Sequence, residues 1–194
     1  MEAFHVNACV RGLDGGEVLA VLRRQGTAGF AGPTEDGWTA LVAEDLDMRN
    51  GRVIAAYGEA LTRDPGRVAI VFLCHDEDVL WVGLHRDGRE VGELNSAPAY
   101  FHDRGEFDPD TGTFGKPPPT EEEARPVLRG AEAFADAFGL DAAAVAGLMP
   151  RGFDEGPIEL HERWSETLGL PAYAVAMGFR RVESGESDVE WARA

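Results

Sequence analysis

Residues 68–95 read VAIVFLC, HDED, VLWVGLH, RDG, REVGELN. Three runs of apolar or alternating residues are joined by two short turns rich in Asp, Gly and Arg. Runs of this length with β-branched residues read as strands, and turns this short join antiparallel neighbours. The stretch predicts a three-stranded meander. The simplest register pairs Cys74 with Val79 and His85 with Glu90. It lines up Phe72, Trp81 and Leu94 across the strands, with Ile70, Gly83 and Gly92 beside them. The opposite face carries Val71, Leu73, Leu80, Val82, Leu84 and Val91. Both faces of the first two strands are apolar, so both require cover.

On the N-terminal side, Phe4, Val6, Ala8 and Val10 alternate with polar or small residues, the period of a strand. Asp14 and Glu17 are spaced as a capping box, and Leu13 and Val18 as a hydrophobic staple. They open a helix with Val18, Leu19 and Leu22 inward and Gly26 at its end. Trp38 to Glu44 reads as a strand, alone or in a pair. Val53, Ile54, Tyr57, Ala60 and Leu61 mark a second helix stopped by Asp64-Pro65-Gly66. This succession resembles the first half of a split βαβ, ferredoxin-like unit.

On the C-terminal side, residues 97–119 are rich in Pro, Gly and Asp without a period, a long loop of the kind that carries function. Thr120 and Glu123 form a second capping box ahead of a helical stripe running from Ala124 to Phe138 and ended by Gly139. A short helix follows the Asp141 cap, and another runs from about Pro157 to Leu168 with His161, Trp164 and Leu168 on one face. Ala172 to Glu183 alternates as a final strand, and residues 184–194 read as a frayed acidic tail. The expected fold is one α+β domain over residues 1–194, mainly antiparallel sheet with a ferredoxin-like opening and helices on both faces. Its parts are a sheet-and-helix half (1–96), the loop (97–119), a helical half with a final strand (120–183) and the tail.

The chain has 194 residues, enough for one self-sufficient core, with 44% hydrophobic and 27% charged residues. Its charge is unusual: 18 Lys and Arg against 35 Asp and Glu, a formal net charge of −17. Such a chain is repelled by nucleic acid and by anionic membrane surfaces, so neither is expected as a partner. No run reaches the roughly 18–20 apolar residues that cross a bilayer. The opening residues Met1 to His5 lack the basic and apolar regions of a secretion signal, and two cysteines make no disulfide framework. A cytoplasmic location is expected.

Chemical motifs are few. Gly112-Thr113-Phe114-Gly115-Lys116 lacks the first Gly and the final Ser or Thr of a phosphate loop. Asp108-Pro109-Asp110-Thr111-Gly112 starts like a calcium loop, but Pro119 stands where the bidentate Glu belongs. The histidines His5, His75, His85, His102 and His161 and the cysteines Cys9 and Cys74 show no zinc spacing. His161 reads as a half-buried helix residue. No Gly-x-Ser-x-Gly elbow occurs, while a Cys–His pair meeting only in space leaves no trace in sequence. No cofactor and no metal are expected.

One constellation remains. In the register above, Gly83 and Gly92 face each other between Trp81 and the His85/Glu90 pair. Two facing glycines leave backbone bare, which makes a small notch for a peptide or ligand. The ordinary alternative is that Trp81 or a helix side chain fills the notch as core.

The Trp81 strand, the Arg86-Asp87-Gly88 turn and the segment Asn95-Ser96-Ala97-Pro98-Ala99-Tyr100-Phe101, with Leu168-Gly169-Leu170-Pro171 further on, resemble a group of uncharacterised bacterial proteins. The resemblance implies that the segment after the meander is a fixed structural feature. It carries over no functional residue.

Three functions are open to such a chain. The first is an acidic interaction protein without catalysis, an immunity-like inhibitor or an adaptor, that meets a basic protein through exposed acids such as Asp76 and Asp78. The second is a small enzyme with a site built around the 97–119 loop, His102 or the His85/Glu90 pair. The third is a small-ligand or peptide-binding module using the notch.

Overall fold

Strand β1 (His5–Arg11) lies near the middle of an eight-stranded sheet, and its alternation is used on both sides. The computed structural model describes residues 4–48, 50–75, 78–101, 107–108, 113–151 and 155–194. After β1 come helix α1 (Gly15–Gln25), strands β2 (Gly29–Glu35) and β3 (Trp38–Ala43), helix α2 (Gly51–Thr62), and the meander β4 (Val68–His75), β5 (Val79–Arg86) and β6 (Arg89–Asn95). Then follow a small hairpin β7 (Phe107–Asp108) and β8 (Thr113–Phe114), strand β9 (Val127–Arg129), helices α3 (Ala131–Phe138), α4 (Ala142–Ala146), α5 (Pro157–Leu168) and α6 (Phe179–Glu183), and strand β10 (Ala192–Arg193). The large sheet runs β10-β2-β3-β1-β4-β5-β6-β9, and its neighbours pair antiparallel.

The molecule is α+β with helices on both sheet faces. Val6, Ala8, Val10, Val71 and Leu73 pack with Val18 and Leu22 of α1 and with Ile54, Tyr57 and Leu61 of α2. The other face, with Cys9, Ile70, Phe72, Leu80, Val82, Leu84 and Leu94, meets Phe134 of α3, Val145 of α4 and Leu160 and Trp164 of α5. The cap of α1 forms as its sequence dictates. The Asp14 carboxylate accepts the Glu17 N–H at 2.9 Å, Glu17 accepts the Asp14 N–H at 3.0 Å, and Gly26 ends the helix at φ 75. No helix among the described residues is long and apolar enough to cross a membrane.

The meander stands where expected, but its register differs from the simplest one. His75 itself pairs with Val79, so Leu73 faces Trp81 and Val71 faces Gly83. A one-residue shift carries every side chain to the other face, which is why Leu80, Val82 and Leu84 share a core with Phe72 rather than with Leu73. The second hairpin does start with His85 opposite Glu90, turning through Asp87 and Gly88 at φ 52 and 69. A bulge then slides the register, placing Gly83 opposite Glu93 and Leu84 opposite Gly92. Gly83 and Gly92 therefore do not face each other.

Three further expectations are corrected. The Thr120/Glu123 box does form, with Thr120 N–H to Glu123 Oε2 at 2.8 Å and Glu123 N–H to Thr120 Oγ1 at 3.3 Å, but it closes a single turn. Pro126 lacks an N–H and disfavours helix at Arg125, so the chain leaves the turn as β9 on the edge of β6. Helix α3 begins only after Gly130, at φ 69. The expected strand Ala172 to Glu183 is a 3-10 turn, Ala172–Ala174, followed by α6. There the side-chain amide of Asn7 donates to the carbonyls of Ala174 and Met177 at 2.9 and 2.8 Å, taking acceptors that a sheet ladder would need. The tail is ordered at its end: β10 pairs with β2, and Trp191 packs edge-on against Tyr173 at 5.5 Å. Within 97–119 the structure shows a 3-10 turn, Pro98–Phe101, and the β7–β8 hairpin. Asp76, His102 and Asp110 lie outside the described residues.

Candidate binding cleft

The residues singled out around the notch are packed rather than open. A side chain grown on Gly83 would run into the Trp81 ring, and one on Gly92 would come within 2.7 Å of Phe134. Each glycine is thus the seat of an aromatic ring, on opposite faces. Trp81 is half-buried, and its Nε1 donates to Glu93 Oε1 at 2.8 Å, while Glu93 also pairs with Arg129.

His85 is buried against Gly58 of α2, and neither of its nitrogens has a hydrogen-bond partner. Burial pushes its pKa down to about 4, so it is neutral. Glu90, opposite it in the ladder, is exposed. Partial burial still raises its carboxyl, and Arg129 draws it back down. The two are ladder neighbours without a hydrogen bond between them.

Another buried pair escaped the sequence. His161 of α5 is fully buried, not half-buried. Its Nδ1 lies 3.1 Å from His5 Nε2, and its ring stacks on Phe72 at 4.1 Å. Burial lowers both histidines, His5 to about 4. No local spacing could announce a contact between the first strand and a late helix. Cys9 is buried, and that burial pushes its thiol up to about 12, far from the thiolate a nucleophile needs. Among the described residues no three His, Cys, Asp or Glu side chains are grouped so as to hold a metal ion.

The open feature is a cleft of about 720 Å³ at the β4–β5 turn end of the sheet. One side is Asp78 with Ser96 and Ala97, just past β6. A second is the 121–126 turn, and the third is Pro150 with the start of α5. Ser96 is fixed to β5, its Oγ accepting the Leu80 N–H at 2.8 Å. The α5 wall is strapped by Arg163, whose Nε and Nη2 each lie 2.7 Å from a Glu155 oxygen. The same guanidinium donates to the carbonyls of Gly147 and Met149 at 3.2 and 3.1 Å. Arg163 holds the Glu155 carboxyl below the usual carboxylate range, with the Arg151 N–H helping against the cost of burial.

Asp78 lines the cleft. Trp81, Gly83, His85, Glu90 and Gly92 do not. Glu121 is an acid that the sequence offers for partner binding, whereas Arg125 and the proline walls escaped it, because no single segment carries the cleft. A smaller cavity of about 380 Å³, lined by Glu44, Asp45, Asp47 and Glu183 with Arg180, lies between α6 and the end of β3.

The chain matches no family model, no curated protein and no solved structure. The functional reading therefore rests on the cleft itself.

Proposed function

We propose that the protein is a cytoplasmic interaction protein without catalysis, an inhibitor or adaptor that binds a basic protein partner at the cleft beside Asp78. The observation that carries this reading is the state of the cleft's carboxylates. The side chains of Asp78 and Glu121 are exposed and their carboxylates make no hydrogen bond or ion pair among the described residues, whereas Glu155 is held by Arg163. Free carboxylates beside an apolar wall of Pro126, Pro150, Pro157 and Leu160 suit a basic side chain with its aliphatic stem. The net charge of −17 supports it at long range, because an acidic surface steers a basic one toward encounter.

The test is affinity capture from the native cell with wild type and with a double charge reversal, Asp78→Arg with Glu121→Arg. Kinetics with whatever is captured follow. A basic partner lost on reversal is expected. A partner held equally well by the reversed protein would sink the reading. A small-ligand module is the second reading, favoured by one observation: the cleft's 720 Å³ is of the size that encloses small molecules. Metabolite extract retained by the wild type and released on unfolding would move that reading ahead.

A further inference from the structure

We infer that the segment the cleft accepts is dipolar rather than polybasic: a stretch of the partner in which one Lys or Arg and one Asp or Glu side chain bracket an apolar residue. The inference rests on the cleft being the binding site. Asp78 and Glu121 line it together with Arg125, and Arg125, like them, is exposed and without a hydrogen bond or ion pair from its side chain among the described residues. Glu121 and Arg125 stand four apart in the 121–125 turn, the spacing at which opposite charges pair on a helix. They are not paired. Both signs of charge are therefore presented to whatever enters.

The consequences differ for different occupants. A basic side chain gains from Asp78 and Glu121. A second basic side chain in the same segment would meet Arg125 and be repelled. A carboxylate there would take a two-pronged, charge-assisted bond from the guanidinium. Arg125 thus acts as the element that rejects wrong partners, while the two acids attract the right one. The buried Pro157 and Leu160 line the same cleft and offer an apolar wall for the residue between the two charges. A second copy of this chain is a poor occupant, because two chains of −17 repel.

The experiment uses the full chain and short fluorescent peptides, acetylated and amidated so that only side chains carry charge. Their cores are Lys-Ala-Leu-Glu in both orders, Lys-Ala-Leu-Lys and Glu-Ala-Leu-Glu; acetylated Lys-Ala-Leu left as the free acid is a further probe, and anisotropy reads the binding of each. The expected result is that a mixed core binds about tenfold or more tighter than either uniform one. Arg125→Glu should reverse the preference toward the doubly basic core with the melting temperature unchanged. Three results would overturn the inference.

If the doubly basic core binds as well as the mixed ones and Asp78→Arg abolishes both, the cleft is the site but its preference is not dipolar. If a free-acid peptide without Glu outbinds the mixed amides, the carboxylate is a chain terminus. If no peptide binds and Asp78→Arg leaves partner capture intact, the cleft reading itself has failed.

Discussion

His85, His5 and His161 are buried bases with no carboxylate partner among the described residues, and their burial makes stability depend on pH. Folded, they resist protonation: His5 and His85 titrate near 4, and His161 lies well below its ordinary value. Unfolded, each takes a proton near 6.5. Between those values the unfolded chain binds more protons, so the stability is complete above pH 6.5 and is lost as pH falls toward 4. His5 and His85 should each remove about 2 kcal/mol between pH 7 and 5, and His161 acts in the same direction. Asp47 and Glu90, raised by burial, oppose this trend at lower pH. Urea midpoints at pH 7 and 5 measure the loss, and His161→Gln should flatten the difference. A midpoint that does not move would show the rings to be hydrated. At the same scale, Gly83→Val drives a branched side chain into the Trp81 ring and should destabilise by about 1–3 kcal/mol. An unchanged urea midpoint would mean that Trp81 swings aside and that the notch opens after all.

At the scale of elements, local rules succeed where a helix is short and closed by its own residues. Asp14 caps α1 through the Glu17 N–H, and Asp14→Ala should lower stability by about 0.5–2 kcal/mol in a denaturant melt. No loss would mean that Glu17 and solvent cap the helix without it. The cleft wall is a different kind of element, in which one guanidinium holds Gly147, Met149 and Glu155. Arg163→Lys replaces a two-pronged donor by a point charge. It should weaken capture of the partner while the melting temperature falls only slightly, and equal capture would show that the wall stands without the strap.

For the whole molecule, charge is the dominant property. Both cavities are lined with carboxylates, and the net charge of −17 extends the field beyond them. The association rate with a basic partner should fall steeply from low to physiological salt, while the dissociation rate stays nearly flat. Stopped-flow or surface kinetics would show it. An on-rate indifferent to salt and to Asp78→Arg would make the acidity a matter of solubility alone.

The sequence by itself determined what depends on neighbours along the chain. The meander, the caps of α1 and α4, the ends at Gly26 and Gly139, and the apolar stripes of α2 and α5 all follow from residues within a few positions. Tertiary structure decided what depends on residues far apart. One bulge sent Gly83 and Gly92 to opposite faces, and one residue of register in the first hairpin set Leu73 rather than Phe72 against Trp81, because strand side chains alternate and a slip inverts them all. Asn7 drew the carbonyls of Ala174 and Met177 out of reach of a sheet, and His161 found His5 across the core. Asp78 was legible as an exposed acid in a turn. That it shares a cleft with Glu121, Arg125 and the start of α5 was not, since that wall is assembled only when α5 packs on the sheet and Arg163 straps the loop before it.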